Sequence, residues 1–489
     1  MMTHDSRLLH QHDANKPSAW RLRLAVLWVT LLGQASAAAG GSGTANCAIV
    51  APIPRPPANA TVFGPGGGGD DTTAIQAAID GLSAGGWLVF APGTYSIGRH
   101  LTAAVRGITL YGKGAVIHSS SATDGGLMIE ADDVRIYGFT FEQDSVRREG
   151  APWSGGVSVF DGRGGRRHRV VGAIIEDNTI NNAAAAGIFL YKASSFTVAG
   201  NTVFRSWADG IHATGGSSDG RIIGNSVAQN GDDMVAVVSY AGQRNVPTLA
   251  ARYRTSSADD LDRNIYVAGN KLADTYWGRG ISVVGGSDVT IENNDISRTP
   301  TAAGIYLLRE RSYVTYGDHN ILVQGNTITH VQTAAPTYKP PNVTLVLTHH
   351  GALEISSQLS PEETADAHLK GLLSVSGIAL VGNTVRDARF AGVRLGAVSE
   401  SDRTVSEVLL QGNSLDGVGT DVVAEVHPGV DRATLSCKDN KLNGVSWSSS
   451  CDKSSAGTTS APVTGASLQC LPDGTMSRTV TPKAPTDLH

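Results

Sequence analysis

The sequence predicts an all-β chain wound as a parallel β-helix solenoid of about 10 coils, with a helix covering its first coil. Three observations carry this reading. An asparagine recurs at a base period near 23 residues, a Gly-apolar step follows most of these asparagines, and the chain consists of short apolar runs broken by Gly, Asn and Asp. With 58 glycines, 6% aromatic and 17% charged residues in 489, this is the composition of many tight turns between short strands.

The asparagines sit in "IIEDNTI", "FTVAGNTV", "GRIIGNSV", "IYVAGNKL", "VTIENNDI", "ILVQGNTI", "IALVGNTV" and "VLLQGNSL". They are Asn178, Asn201, Asn225, Asn270, Asn294, Asn326, Asn383 and Asn413, spaced 23, 24, 45, 24, 32, 57 and 30 residues apart. One coil cannot bury its own apolar face, so coils stack at about 4.8 Å, the strand-to-strand spacing. Asn suits a fixed corner because it tolerates left-handed backbone and its amide can bond the next Asn in a ladder.

The second element is "AAGIFLY", "ADGIHAT", "GDDMVAV", "GRGISVV", "AAGIYLL", "HHGALEI" and "FAGVRLG". Aligned on the Gly-apolar step, the preceding residues form the column Ala186, Asp209, Asp233, Arg279, Ala303, His350, Ala391. Strand alternation sets a second, outward column of Phe189, His212, Ala236, Ser282, Tyr306, Leu353 and Arg394. Adjacent coils therefore bring Asp209, Asp233 and Arg279 onto neighbouring rungs.

The ends and insertions complete the plan. In "GGGGDDTTAIQAAIDGLSAGGWLVFAPGTYSI" (66–97), Asp70 or Asp71 can cap a helix that turns Ile75 and Ile79 to one side. Long insertions at 241–263 and 331–348 are candidates to line a binding face. "SPEETADAHLKGLL" predicts a short helix with Ser360 as N-cap, Pro361 as its first residue and Glu363 completing a capping box.

Residues 1–39 read as a signal peptide, with "RLR" before the apolar run Leu24 to Leu32 and the small residues "QASAAAGG" after it. Nine apolar residues are too few to span a bilayer. This predicts a secreted or periplasmic protein without stable membrane insertion after cleavage. Residues 40–445 form the β-helix domain, and 446–489 a Ser/Thr/Gly-rich, partly disordered tail. Export allows the four cysteines to oxidise. Three connectivities exist, with Cys437–Cys451 favoured and Cys47–Cys470 as the remainder. A net charge of −5 gives no nucleic-acid signal, and a monomer is expected.

The motif "GDDTTAIQAAID…GGWLVFAPGTYSI" resembles the N-terminal signature of the pectate-lyase-like superfamily of right-handed parallel β-helix proteins, over roughly residues 60 to 445. That fold hosts hydrolases, lyases, epimerases and phage tailspikes. The coils carrying the acids resemble more closely, in divergent form, the polygalacturonase family of inverting glycoside hydrolases. "ADGI" matches that family's "TDG" by Asp209 and Gly210, and "GDDM" matches its "GDD" by Asp232 and Asp233. Arg279 stands where the family has histidine. Tyr306 and Leu308 fall at the positions of its Arg-x-Lys pair, with Arg309 one residue off. The resemblance implies Asp232 as general acid, with Asp209 and Asp233 holding the attacking water. "YGDHN" resembles the signature of β-helical alginate epimerases only by Asp318 and His319.

The chemistry agrees with those roles. Glycosyl hydrolysis needs one protonated and one ionised carboxyl, and crowded carboxylates raise at least one pKa. His212, Trp277, Arg279, Tyr306, Arg309, His350 and Arg394 are the candidate sugar-binding residues. The expected partner is a polysaccharide, with an acidic one not excluded and ordinary pectin disfavoured by the missing histidine and Arg-x-Lys. No cofactor or metal is expected for a hydrolase. Two other readings stay open: a polysaccharide lyase or uronate C5-epimerase, for which the same acids would bind calcium, and a non-catalytic protein of glycan binding or surface-polysaccharide assembly.

Overall fold

A computed structural model describes residues 51–162, 168–253, 256–397, 403–447 and 451, and the strands Ser467–Cys470 and Met476–Thr479. The chain is a right-handed parallel β-helix. Three sheets of 15, 11 and 13 strands run its length, parallel throughout except for the last strand of the third, Val445–Trp447, which pairs antiparallel. The stack is somewhat taller than ten coils, because coils formed by residues 87–143 precede the first recognisable asparagine corner. The expected signal peptide and Cys47 lie outside the described residues. Within the tail, Ser467–Cys470 pairs antiparallel with Met476–Thr479.

Each strand sends alternate residues inward. Along the 11-stranded sheet, Ile188 and Leu190, Ile211 and Ala213, Val235 and Val237, Ile281 and Val283, and Ile305 and Leu307 fill one continuous apolar column. Burial of this column drives coil stacking, at roughly 25 cal/mol per Å² of apolar surface removed from water.

The asparagine ladder is present and unbroken. Asn178 donates through Nδ2 to Oδ1 of Asn201 at 3.1 Å, and the same bond repeats through Asn225, Asn270, Asn294, Asn326, Asn383 and Asn413. It ends on Asn440, a rung the sequence reading did not include. The left-handed residue of the corner is not the asparagine but the one before it. Asp177, Gly200, Gly224, Gly269, Asn293, Gly325, Gly382 and Gly412 all have φ between 54° and 66°. The preceding residue makes the bend, which frees each asparagine to bond upward and downward.

The helix Thr72–Asp80 covers the first coil with Ile75 and Ile79 buried. Asp70 accepts from the N–H of Thr72, whereas the Asp71 carboxylate accepts from the N–H of Ser96. Gln76 pairs with both backbone groups of Thr102 at 2.9 Å, satisfying the open edge of the 11-stranded sheet. The predicted capping box forms at Ser360 and Glu363, opening the helix Pro361–Ala365. A second helix, Ala367–Leu373, follows it. Cys437 and Cys451 form a disulfide.

Candidate active site

The site lies on the outer surface of the 11-stranded sheet, where "ADG" and "GDD" precede consecutive strands, Ile211–Thr214 and Val235–Val238. One coil separates them, so Asp209 and Asp233 come into register, and the Asp233 N–H donates to the Asp209 carboxylate at 3.2 Å. Gly210 allows this approach: a Cβ there would overlap Val227 and the Met234 carbonyl of the next coil. Oxygens of Asp209, Asp232 and Asp233 all lie within 4.8 Å of one another.

Each acid has its own partner. His212 Nδ1 lies 2.8 Å from Asp209. Arg148 donates to Asp232 at 2.6 Å. Asp233 accepts from Ser282 Oγ at 2.6 Å and from the backbone N–H of Arg279 at 2.7 Å. The Arg279 guanidinium bridges Asp233 at 3.5 Å and Glu310 at 3.0 Å, and lies 4.3 Å over the Tyr306 ring. The His350 ring packs 4.8 Å from that of Tyr306.

These surroundings separate the acids electrically. Burial, then the charges of Asp209 and Asp233, push Asp232 up to about 7 against the pull of Arg148 and Arg279. Burial also opposes ionisation of Asp209, but His212 and Arg148 outweigh it and hold this carboxyl below its usual value. Burial would lower His212, yet Asp209 raises it. At neutral pH the wall therefore offers a carboxyl able to carry a proton beside one that stays ionised.

A cation at the same acids is testable on geometry and donors. Oxygens up to about 5 Å apart suit either a bridging cation or one bridging water. Calcium usually takes 6–8 oxygens, whereas these three carboxylates are already shared with His212, Arg148, Arg279 and Ser282. A cation there would compete with those partners for the same oxygens.

The sequence-predicted residues divide. Asp209, Asp232, Asp233, His212 and Arg279 form one cluster. Tyr306 and His350 adjoin it through Arg279, although Tyr306 is 2% exposed and so presents little surface. Trp277 is half exposed on the loop before Arg279. Arg394 stands three coils beyond Ser282, roughly 14 Å along the stack, paired with Glu354 at 3.3 Å and His427 at 3.1 Å.

Arg309 is a correction. It is fully buried and donates to Tyr253 and Glu363 at 2.7 and 2.8 Å beneath the inserted helices. Tyr306 points outward, so strand alternation turns Arg309 to the opposite side. Leu353 is likewise corrected: it pairs with Ile305 in the core, and Glu354 takes the outward position beside Tyr306. "HHGALEI" carries one extra residue, Ala352, between the glycine and the strand, which shifts the alignment by one. Asp318 is structural, because its buried carboxylate accepts from the N–H groups of Gly285 and Gly286 at 2.8 Å.

Arg148, Glu310 and Ser282 were not identified as site residues from sequence. Ser282 stood in the outward column and was legible there. Arg148 and Glu310 lie in loops without motif or period. A cavity lined by Arg106, Glu130, Asp132 and His168 lies among earlier coils, away from these acids.

A family model for the right handed beta helix region matches residues 104–230. None of the curated proteins compared matches the chain. Among solved structures, the catalytic domain of a GH87 α-1,3-glucanase in complex with tetrasaccharides is 14% identical, with a TM-score of 0.55, covering 81% of this chain and 71% of that one. The same domain in complex with nigerose is 15% identical, with a TM-score of 0.54 and the same coverage. The mannuronan C-5 epimerase AlgE6 A-module of Azotobacter vinelandii is 16% identical, with a TM-score of 0.44 over 76% of this chain and 95% of that one. The glucanase complexes include variants in which three aspartates, spaced 23 and then 1 residue apart, are changed to alanine.

Proposed function

We propose that this chain, a right-handed parallel β-helix of the pectate-lyase-like superfamily, is an exported glycoside hydrolase that cleaves a polysaccharide with the carboxylates of Asp209, Asp232 and Asp233. The observation that carries the reading is the pairing of Asp232, pushed up to about 7, with Asp209, held ionised, on adjacent coils. The aspartate spacing in the glucanase variants supports it, because Asp209, Asp232 and Asp233 are also 23 and then 1 residue apart.

In the reaction, the Asp232 carboxyl donates its proton to the leaving glycosidic oxygen. Asp209 and Asp233 hold a water and accept its proton as it attacks the anomeric carbon. His212 keeps Asp209 ionised and oriented, and Arg279 with Ser282 orients Asp233. Inverting enzymes usually separate their carboxyl groups by roughly 6.5–9.5 Å. The oxygens here lie within 4.8 Å of one another, closer than that range, so inversion rests on the polygalacturonase resemblance and not on this spacing.

Charge favours an uncharged glycan over a polyuronate. Arg279 is shared by Asp233 and Glu310, Arg148 is held by Asp232, and Arg394 by Glu354. A uronate carboxylate would have to compete with Asp232, Asp233 and Glu310 for the Arg148 and Arg279 guanidiniums.

The test is incubation of the full protein with neutral and acidic polysaccharides, following reducing ends and ultraviolet absorbance together. Hydrolysis gives reducing ends alone, whereas a lyase also gives an absorbing unsaturated uronate. Full activity in both Asp232→Asn and Asp233→Asn would rule out this site. NMR of the first-formed anomer reads the stereochemistry.

A further inference from the structure

We propose that Tyr240 and Tyr313 form a stacking wall beside the acids, which takes the apolar face of an uncharged sugar ring. The proposal rests on the hydrolase reading for its location and goes beyond it in naming the residues that grip the substrate.

Both rings are large, aromatic and 42% exposed. They are also placed at the acids. Tyr240 is the second residue past the strand Val235–Val238 that leads from Asp232 and Asp233. Burial of its hydroxyl, then the charges of Asp209, Glu310, Tyr313 and Asp232, push it well above its ordinary range. Tyr313 in turn lies within electrostatic reach of Arg148, the partner of Asp232.

The wall has a rigid base. The two loops are stitched by an antiparallel bridge between Tyr240 and Thr315, by the Ala241 N–H donating to Val314 at 2.8 Å, and by the Tyr316 N–H donating to Ser239 at 3.1 Å. Under them lies a separate apolar cluster that includes Ala241, Tyr253, Val314, Tyr316, Leu369 and Leu373. The buried Arg309–Glu363 pair ties that cluster to the helix Pro361–Ala365. The Arg244 guanidinium lies 4.4 Å over the Tyr313 ring and braces it. Aromatic faces fixed before binding lose little entropy on contact, which is what a ring-stacking surface requires.

The charge of the neighbourhood selects the ring. Asp209, Asp232, Asp233 and Glu310 surround the mouth, and the guanidiniums among them are already paired. A uronate lying on the wall would bring a fifth carboxylate to this cluster, where Arg148 and Arg279 are already paired and Arg244 is stacked on Tyr313.

The experiment uses Asp232→Asn as an inactive host, so that polymer is not consumed, in native affinity gels containing soluble glucans, xylan or mannan, or polygalacturonate or alginate. Retention by at least one neutral polymer is expected, unchanged by salt. Tyr240→Ala and Tyr313→Ala in that host should each weaken it about ten-fold, equivalent to about 1.4 kcal/mol, and the Phe variants should keep it. Both side chains are substantially exposed, so melting temperatures should match the host. Retention by polyuronates alone, by no polymer, or with host strength in both Ala variants would overturn the wall. Failure of the wild type to release reducing ends, with retention behaving as expected, would instead sink the hydrolase reading and leave the wall standing.

Discussion

Arg148 and Asp232 are 84 residues apart in the chain, yet Nη1 of the arginine lies 2.6 Å from Oδ2 of the aspartate. The arginine reaches the proposed general acid from the loop of an earlier coil, and its charge opposes the burial that raises the acid. Removing it should let Asp232 keep its proton to higher pH. Arg148→Ala is expected to move the alkaline limb of the kcat/KM profile upward by about one pH unit. An unmoved limb would mean that the pair does not tune the acid.

Asp232 itself links activity to stability with opposite signs. Its folded pKa is about 7, above the ordinary 3.8. Between those values the folded protein binds more protons than the unfolded chain, so this group's contribution to stability falls as pH rises from about 4 to 7. Asp232→Asn should therefore lower kcat by roughly 10²–10⁴-fold, while its melting temperature exceeds wild type at pH 8 by more than at pH 4. Thermal scans at the two pH values, beside the kinetics, check this.

Arg279 joins Asp233 to Glu310 and covers Tyr306. Arg279→Ala leaves two carboxylates without their cation and should destabilise by about 3 kcal/mol. Lysine keeps the charge but not the planar stack or the fork, so Arg279→Lys should recover only part of the loss. Denaturant unfolding gives both values. Equal stability of the Lys variant and wild type would show that the stacking contributes nothing.

Chelation separates the two chemistries that the acids could support. If a water occupies the space between them, treatment with EDTA should leave activity within two-fold of the untreated protein. A ten-fold loss restored by calcium would favour a lyase.

The asparagine ladder gives a prediction independent of function. Asn270 donates to Asn294 and to the Ile222 carbonyl, and accepts from Asn225. Asn270→Ala strands buried partners on both sides and should cost about 1–3 kcal/mol. Replacement of exposed Asn59 provides the control.

The coil architecture was legible because each coil must repeat the same local solution. A corner asparagine, a glycine step and inward apolar residues recur in sequence wherever they recur in space. The Asp209–Asp232–Asp233 cluster was legible for the same reason: a separation near one period means adjacency on neighbouring coils. Ala352 shows where this logic fails, since one inserted residue turned Leu353 inward and Glu354 outward.

What the sequence determined by itself was the solenoid, its capping helix and the acids that share a wall, all consequences of a fixed period. The tertiary structure decided how those acids are charged. Arg148 and Glu310 reach them from loops whose paths no period constrains, and Arg309 is withdrawn beneath helices packed over its strand. Which carboxyl holds a proton depends on burial and on neighbours a few ångströms away, and those distances are set only when the loops fold over the coils.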